Sequence, residues 1–471
     1  MGALIVFGMI AIQVILALVS PVFLVDLSLL TGVWPMSFGP DDMLNTAFGR
    51  FDVSSLRLLG LWLAITLVIL LRFGQGWDYT IRYRWHLFFL LFCVLSLSWA
   101  PSLAYGVRML AKLSAPFLFL VFVQIVITTR AQLKRMERLM LIAGVSMLVL
   151  AVLSKLVGWE QNPVGLTIPA TAPSLFSAFL ITIAMLTISR MKYDGVTANL
   201  ALFLLLAAGV LAAFTRITIA ALFVSASVVL FYVGRSVQRF ILPMAGLIGL
   251  PTLFLFSETF KNRMFFGAGN IGAETLLTDP GQAMSHLHGS GRFGAWSIVL
   301  TKFFDPSPVI GSGVGTTQNF FYSQNTHGLG VIHSEYVRLL AEVGVVGLTL
   351  FVFAAGAYFL RLMDTYRRAP TSDAGKYAAP AIGSLVAYLI FMATDNGIDY
   401  VNGFGIYVFT LVAMSEKARE LETADARRSP EPGPVEHLET QWTSPKPQMT
   451  PATASFFPYH TRIEGRTKGS I

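Results

Sequence analysis

A polar segment with two histidines leads directly into an apolar run near residue 334. It reads Thr326-His-Gly-Leu-Gly-Val-Ile-His-Ser-Glu-Tyr-Val-Arg, and the chain becomes fully apolar from Val343 onward. Charged side chains at the mouth of a membrane helix are costly, so they usually face water or protein. His333 stands directly before the run. An imidazole titrates near neutral pH, which suits a general base, although a lone histidine is more often a structural hydrogen bonder.

Three charged residues follow His333 at helical spacing. Glu335, Arg338 and Glu342 are spaced i, i+3 and i+7, so a helix places them on one face where they can pair. A structural ion-pair stripe is the better interpretation of Glu342. For Glu335, a structural role and a role at the site are equally compatible with the pattern.

Several cations occur where a membrane protein has no ordinary use for them. Arg216 lies between two apolar runs, Arg292 begins an amphipathic segment over 292–304, and Arg108 and Lys112 lie one helical turn apart. Guanidinium groups bind phosphate oxygens through two parallel hydrogen bonds and stay charged. Such a group at one membrane face suits a lipid diphosphate, and it would stabilise the charge of a diphosphate leaving group. The alternatives are snorkelling for Arg216, an ordinary solvated arginine at 292, and a helix-end anchor at 108 and 112.

Metal and nucleotide chemistry are poorly supported. Histidines occur at 286, 288, 327 and 333, but the single cysteine is Cys93 and no His-Glu-x-x-His pair is present. The glycine-rich segment Gly311-Ser-Gly-Val-Gly has no flanking strand, so a plain loop is favoured over an anion cradle. We therefore predict no metal and no cofactor.

Composition requires lipid as the solvent for much of this chain. Of 471 residues, 55% are hydrophobic and 13% are charged, against about 25% charged in a soluble domain. A bilayer core of about 30 Å needs about 20 apolar residues per helix. Runs of that kind lie at 3–25, 55–71, 85–100, 106–127, 138–157, 172–189, 197–214, 217–234, 240–257, 334–360, 377–394 and 402–415. The sequence predicts an all-α polytopic membrane protein with about 12 transmembrane helices.

Basic residues alternate between loops, which predicts cytoplasmic N- and C-termini. The predicted organisation has four parts: an N-terminal bundle of about nine spans at 1–257, a large periplasmic loop at 258–333, C-terminal spans at 334–415 and a disordered, proline-rich cytoplasmic tail at 416–471. The loop is expected to carry short helices, one of them the amphipathic segment that begins at Arg292. All candidate site residues then fall on the periplasmic side.

The segment after His333 resembles a known signature. His333-Ser-Glu-Tyr-Val-Arg-Leu-Leu-Ala-Glu-Val-Gly-Val-Val-Gly is similar to the His-Asn-Glu-Tyr-Leu-x-Leu-x-x-Glu-x-Gly-x-x-Gly pattern of the O-antigen ligase and polymerase superfamily. The Gly-Ser-Gly-Arg292-Phe-x-x-Trp segment and Phe214-Thr-Arg216 also resemble that family. The specific likeness covers about 210–350, with Ser334 and Thr215 departing from the usual Asn and Ser.

The resemblance implies a GT-C-like, metal-independent glycosyltransferase that inverts the anomeric carbon. The donor would be a saccharide on undecaprenyl diphosphate at the periplasmic face of the bacterial inner membrane. His333 would be the catalytic base, and Arg216 and Arg292 would bind the diphosphate. Glu335, Arg338, Arg108, Lys112 and His327 would support them.

Three functions are compatible with this interpretation. A polymerase of surface or exopolysaccharide repeat units is slightly favoured, with a chain-length regulator as a possible partner. The alternative is an O-antigen ligase that transfers the glycan to lipid A core or another acceptor. A flippase or exporter of lipid-linked sugar ranks third, because the polar residues gather at one face and do not line several spans at the midplane. Nothing suggests a nucleic-acid partner.

Overall fold

The computed structural model describes residues 2–34, 44–46, 49–51, 53–159, 165–169, 171–234, 249, 292–323 and 331–428. The predicted span at 240–257, most of the predicted large loop, His327 and the tail from 429 lie outside the described residues, apart from residue 249.

The described residues are almost entirely helical. The helices are α1 Gly2–Val19, α2 Pro21–Thr31, α3 Val53–Leu71, α4 Phe73–Ile81, α5 Arg84–Ser96, α6 Leu103–Val126, α7 Arg130–Val157, α8 Pro173–Tyr193, α9 Val196–Ala212, α10 Arg216–Val233, α11 Arg292–Val299, α12 Thr316–Ser323, α13 Glu335–Arg368, α14 Asp373–Phe391 and α15 Ile406–Arg428. Two π-helical turns, Leu300–Phe304 and Val401–Gly405, follow α11 and precede α15. A small antiparallel hairpin pairs β1 Leu44–Thr46 with β2 Gly49–Phe51, which the all-α prediction did not include.

Six described helices are long and apolar enough to cross a membrane: α6, α7, α8, α10, α13 and α14. The bent pair of α3 and α4, which turns by 106°, would make a seventh. The chain is therefore a multi-pass membrane protein, and the count of about twelve spans stays a prediction. The predicted span at 3–25 is interrupted at Ser20, where Pro21 begins a new helix because its ring fixes φ and it has no N–H. The predicted span at 85–100 is a helix of only 13 residues.

Burial separates central helices from peripheral ones. The apolar stretches of α6, α8 and α14 are largely buried in the protein, whereas α7, α10 and α13 bury less than half of theirs. Exposed side chains on the peripheral helices, such as Ile142, Val224 and Phe353, are large and apolar. Lipid is the solvent that this surface requires.

Helix α13 is broken at Gly344, which adopts a left-handed conformation (φ 64°, ψ −168°). A break exposes backbone groups that need new partners in a membrane. The loop that precedes α12 supplies them. The backbone amides of Val345 and Val346, directly after the break, donate hydrogen bonds to the carbonyls of Pro308 and Val309 at 2.9 and 3.1 Å. Ser312 and Gly313 donate to the carbonyls of Ala341 and Glu342 at 2.9 and 2.8 Å.

The glycine-rich segment is therefore part of the helix packing. Gly311, Gly313 and Gly315 all have positive φ, and a Cβ at each would lie 2.4–2.5 Å from the backbone of a neighbouring segment. The amides of Gly315 and Thr317 donate to the carboxylate of Glu342 at 2.8 and 3.1 Å. These contacts occupy the groups that an anion would use, and they give Glu342 the structural role expected of it.

Candidate functional site

His333 occupies the turn that starts α13. Its φ is +54°, a left-handed conformation that is unfavourable for a residue with a side chain. Ser334 caps the helix by accepting a hydrogen bond from the amide of Val337 at 3.4 Å. The surrounding contacts hold this strained turn.

Asn396 holds His333 through two contacts from the loop between α14 and α15. The His333 amide donates to Asn396 Oδ1 at 3.0 Å, and Asn396 Nδ2 lies 3.2 Å from His333 Nδ1. Because the first bond fixes the oxygen of the amide, its NH₂ group faces Nδ1, which then acts as acceptor. Asp395 Oδ1 lies 3.7 Å from the same nitrogen. A protonated Nδ1 therefore has a carboxylate within reach.

Four charged side chains form a buried chain beside this loop. Lys112 Nζ lies 2.5 Å from Asp399 Oδ1, and Arg338 Nη2 lies 2.8 Å from Asp399 Oδ2. Arg338 Nη1 lies 3.2 Å from Glu335 Oε2, and the Ile398 amide donates to Glu335 Oε1 at 2.9 Å. Two acids balance two bases, so the cluster is formally neutral. This balance reduces the large cost of burying its charges.

Asp399 is the centre of this cluster. Burial raises its pKa, but the adjacent guanidinium of Arg338 and ammonium of Lys112 outweigh that effect, and the pKa lies below its ordinary range. The carboxylate is thus held ionised, and it ties α6 and α13 to the loop that positions His333.

A cavity of about 370 Å³ opens beside His333. It brings His333, Arg108 and Lys112 together, and Asn396, Trp34 and Tyr322 are among its other walls. Cations, amide groups and aromatic rings on one surface suit a ligand that is both anionic and polyhydroxylated. We call this end of the helical bundle the site end.

Arg292 does not line this cavity but lies immediately behind the loop. Its Nη1 donates to the carbonyl of Thr394 at 2.6 Å, next to Asp395. Four residues further along α11, Trp296 Nε1 donates to the carbonyl of Ile332 at 2.8 Å, directly before His333. The amphipathic helix predicted over 292–304 is confirmed as α11 and its π-helical turn, and it braces both segments that carry the His333 contacts.

Arg216 is the first residue of α10 and is half-buried. It is not among the residues that line the cavity. The chain before it is tied to the cavity wall indirectly. The Leu166 amide donates to the carbonyl of Ala212 at 2.8 Å, and Thr171, on the same connection, lines the cavity. The cavity thus unites Arg108, Lys112 and His333, and the ion cluster links Glu335 and Arg338 to them, whereas Arg216 is not among the described residues that line the cavity.

Sequence reasoning missed Asp395, Asn396 and Asp399. They lie in a loop at 395–399 that contains no basic residue, for which the basic-residue rule predicts only an outer location. Two acids and an asparagine within five residues, between two apolar spans, are themselves a signal of a site facing water or protein. Within the described part of the chain, no group of three His, Cys, Asp or Glu side chains could hold a metal ion.

Comparison with known families gives this geometry a context. Residues 201–352 match the family model described as O-antigen ligase. Residues 201–352 are thus similar to the O-antigen ligase family. The match confirms the resemblance to the O-antigen ligase and polymerase-related family. Such proteins are glycosyltransferase-like enzymes, and the match supports a general function in membrane glycan transfer. No curated protein matches the chain significantly.

The matched segment does not contain the whole site. It includes Arg216, Arg292 and His333, together with both sides of the break at Gly344. Lys112 and the loop with Asp395 and Asp399 fall outside it. The cavity is therefore assembled from the family domain and from helices on either side of it.

Proposed function

We propose that the protein is a metal-independent glycosyltransferase that polymerises repeat units of a surface or exopolysaccharide. It would use a saccharide linked to undecaprenyl diphosphate and act at the periplasmic face of the bacterial inner membrane. The observation that carries the proposal is the cavity that joins His333 to Arg108 and Lys112 in a chain with an O-antigen ligase domain. A base and two cations are the groups that this transfer needs.

The reaction is one displacement at the anomeric carbon. The acceptor hydroxyl gives its proton to His333 while its oxygen attacks that carbon. The bond from the anomeric carbon to the diphosphate oxygen breaks, and its electron pair stays with the diphosphate. Attack from the side opposite the leaving group inverts the carbon. A positioned base contributes about 10²–10⁴ in rate.

The contacts of His333 constrain which nitrogen acts as base. Asn396 occupies the lone pair of Nδ1 in the arrangement described. When the ring proton moves from Nε2 to Nδ1, the Nδ1–H group can face Asp395. Nε2 then has a free lone pair and accepts the proton of the acceptor hydroxyl. Asp395 thereby acts as a positioning residue for the base and stabilises the imidazolium that forms.

The leaving diphosphate would be bound by Arg216 and Arg292, as the family resemblance implies. Arg108 and Lys112 would add to this binding from the cavity wall. Glu335 and Arg338 would act through the ion cluster, and His327 remains a supporting candidate from the sequence alone. Because Arg292 donates to the Thr394 carbonyl, it has a second role as a brace for the His333 loop.

The test compares three variants at equal membrane levels. His333→Ala should abolish glycan product, and Arg216→Lys should reduce it because the charge survives without the bidentate guanidinium. Arg368→Lys, an exposed arginine far along α13, is the control and should be silent. Normal product from His333→Ala would refute the assignment of the base.

The second candidate is an O-antigen ligase, which the matched family's description favours and which would use lipid A core or another acceptor in place of a growing chain. Gel analysis of surface glycan from a deletion strain separates the two. Single repeat units on the acceptor with long chains missing indicate a polymerase, which could work with a chain-length regulator. Long chains left on the lipid carrier indicate a ligase. Intact chains confined to the cytoplasmic side would instead indicate an exporter.

A further inference from the structure

A second cavity lies at the other end of the helical bundle. It has a volume of about 410 Å³ and lies between the start of α5 and the last third of α13. Arg361 lines it and follows Glu335 by 26 positions, which corresponds to at most roughly 39 Å of helix at 1.5 Å per residue. No described residue lines both this cavity and the one beside His333, so the two are separate. We call it the basic groove.

Three arginines line the basic groove, namely Arg82, Arg84 and Arg361, and none of its lining residues is acidic. Arg361 Nη2 is paired with Glu416 at 2.8 Å, and Arg82 Nη1 lies 4.0 Å from Glu420. These two acids stand behind the arginines and do not line the groove. Arg82 and Arg84 are exposed, so the groove presents positive charge to its opening.

The opposite wall of the groove is apolar. Trp85 and Leu360 contribute exposed side chains at its mouth, and Ala354 and Ala357 on α13 leave room along its length. A cavity lined by both apolar side chains and arginines matches a molecule with a hydrocarbon chain and an anionic head.

Helix α4 places the groove at the level of lipid head groups. It turns by 106° from α3, so it runs across the end of the bundle while α3 runs along it. Its side chains Phe73 and Trp77 are 60% and 49% exposed. Tryptophan and short amphipathic helices of this kind lie in the membrane interface. Arg82 follows directly after this helix.

The floor of the groove contains an unused polar atom. His86 is buried and lines the groove, its ring is stacked on Phe117 at 4.6 Å, and its Nδ1 lies 3.1 Å from the Tyr358 hydroxyl. Its Nε2 is buried and has no hydrogen-bond partner among the described residues. An unsatisfied buried nitrogen is costly, and this one belongs to a side chain that lines the groove.

We propose that the basic groove binds an anionic phospholipid of the surrounding membrane. The phosphate lies among Arg82, Arg84 and Arg361, and an acyl chain follows Ala354 and Ala357 along α13. The loops around 72–84 and 361–376 are rich in arginine and lysine, and the basic-residue rule therefore predicts that both face the cytoplasm. The cytoplasmic leaflet carries anionic lipids that attract such residues. This site is independent of the glycan chemistry at the site end.

The test uses the purified full-length protein in nanodiscs of phosphatidylcholine, with and without phosphatidylglycerol. Native mass spectrometry measures retained lipid, and thermal unfolding measures stabilisation. Wild type should retain phosphatidylglycerol in preference to phosphatidylcholine. The double variant Arg82→Gln with Arg84→Gln should lose about 30-fold in affinity, since each arginine near an anionic membrane contributes about 1 kcal/mol.

Two further variants keep the test decisive. Arg72→Gln with Arg368→Gln removes two exposed arginines that do not line the groove, and it should retain lipid normally. Ala357→Leu fills the channel without changing charge and should also reduce retention. Equal retention in wild type and the Arg82 and Arg84 double variant would overturn the proposal. So would equal loss in the matched control, or equal stabilisation by inorganic phosphate, which would indicate a site for a free anion.

Discussion

Replacement of Asp395 by asparagine isolates the electrostatic part of the proposed mechanism. The change is isosteric, and an asparagine oxygen can still accept the hydrogen bond from the Asn396 amide that Asp395 accepts at 2.8 Å. The fold of the loop should therefore survive. What disappears is a negative charge 3.7 Å from His333 Nδ1.

The size of the effect follows from Coulomb's law. Two unit charges at that separation interact by about 2–4 kcal/mol when the effective dielectric constant is about 20–40. Dielectric constants in the upper half of that range account for screening by solvent, since the His333 side chain is 28% exposed. The Asp395 side chain is only 5% exposed, which favours the lower half. Since the attraction exists only once His333 has taken the proton, it lowers the barrier and not the substrate dissociation constant. Asp395→Asn should reduce kcat about 30- to 1,000-fold.

The assay is transfer from a lipid-linked saccharide donor by purified protein, with kcat and KM measured separately. Asp364→Asn is the matched control, because Asp364 is an exposed aspartate on α13 that pairs with Arg368. We expect the control to equal wild type. Wild-type kcat in Asp395→Asn would refute the view that this carboxylate stabilises the protonated base. A raised KM with unchanged kcat would place Asp395 in substrate binding instead.

Three further predictions concern stability, each measured by thermal unfolding of purified protein. Gly344→Ala should destabilise the protein by about 1–3 kcal/mol, because the φ of Gly344 is +64°. Gly356→Ala on the same helix is the control and should not destabilise it, because a Cβ there meets open space. Equal unfolding midpoints for the two variants would show that the break is not strained. Asp399→Asn should lower the free energy of unfolding by about 3–5 kcal/mol, because it leaves two buried cations without their partner. The double variant with Lys112→Gln should recover part of that loss. Additive losses in the double variant would contradict a shared cluster. Burial raises the pKa of Asp399, but Arg338 and Lys112 lower it more, so the pKa in the folded protein lies below the ordinary value of about 3.9. The stability that the Asp399 carboxylate contributes is therefore complete above that ordinary value. It is lost only as the pH falls through the lower pKa of the folded protein. Wild type should therefore still be more stable than Asp399→Asn at about pH 5, and equal midpoints at that pH would contradict it.

Long apolar runs were predictable from the sequence because hydropathy reports them directly. The predicted spans at 106–127 and 172–189 fall within a few residues of α6 and α8. The break in α13 was not predictable in this way, because Gly344 lies within an apolar run and its conformation depends on a loop more than thirty residues earlier.

The candidate site was predictable only in part, for a related reason. His333 stood out because its neighbours in sequence are polar at the edge of a membrane helix. Its partner Asn396 is 63 positions away, and no local pattern connects the two. Arg108 and Lys112 were recognised as a basic pair, but their place in one cavity with His333 depends on how α6 packs against α13. Residues that are close in space but distant in sequence can be identified as partners only once the fold is known.

The hydrogen bonds between α13 and the loop at 308–313 also bear on how the chain is assembled. Pro308 and Val309 are synthesised before the helix whose broken backbone they complete. The break in α13 therefore has these hydrogen-bond partners only when the loop is packed against it at the site end. An insertion within 308–313 would consequently leave those backbone groups without their partners, and it would disturb the start of α13 and His333 although no residue of the site had changed.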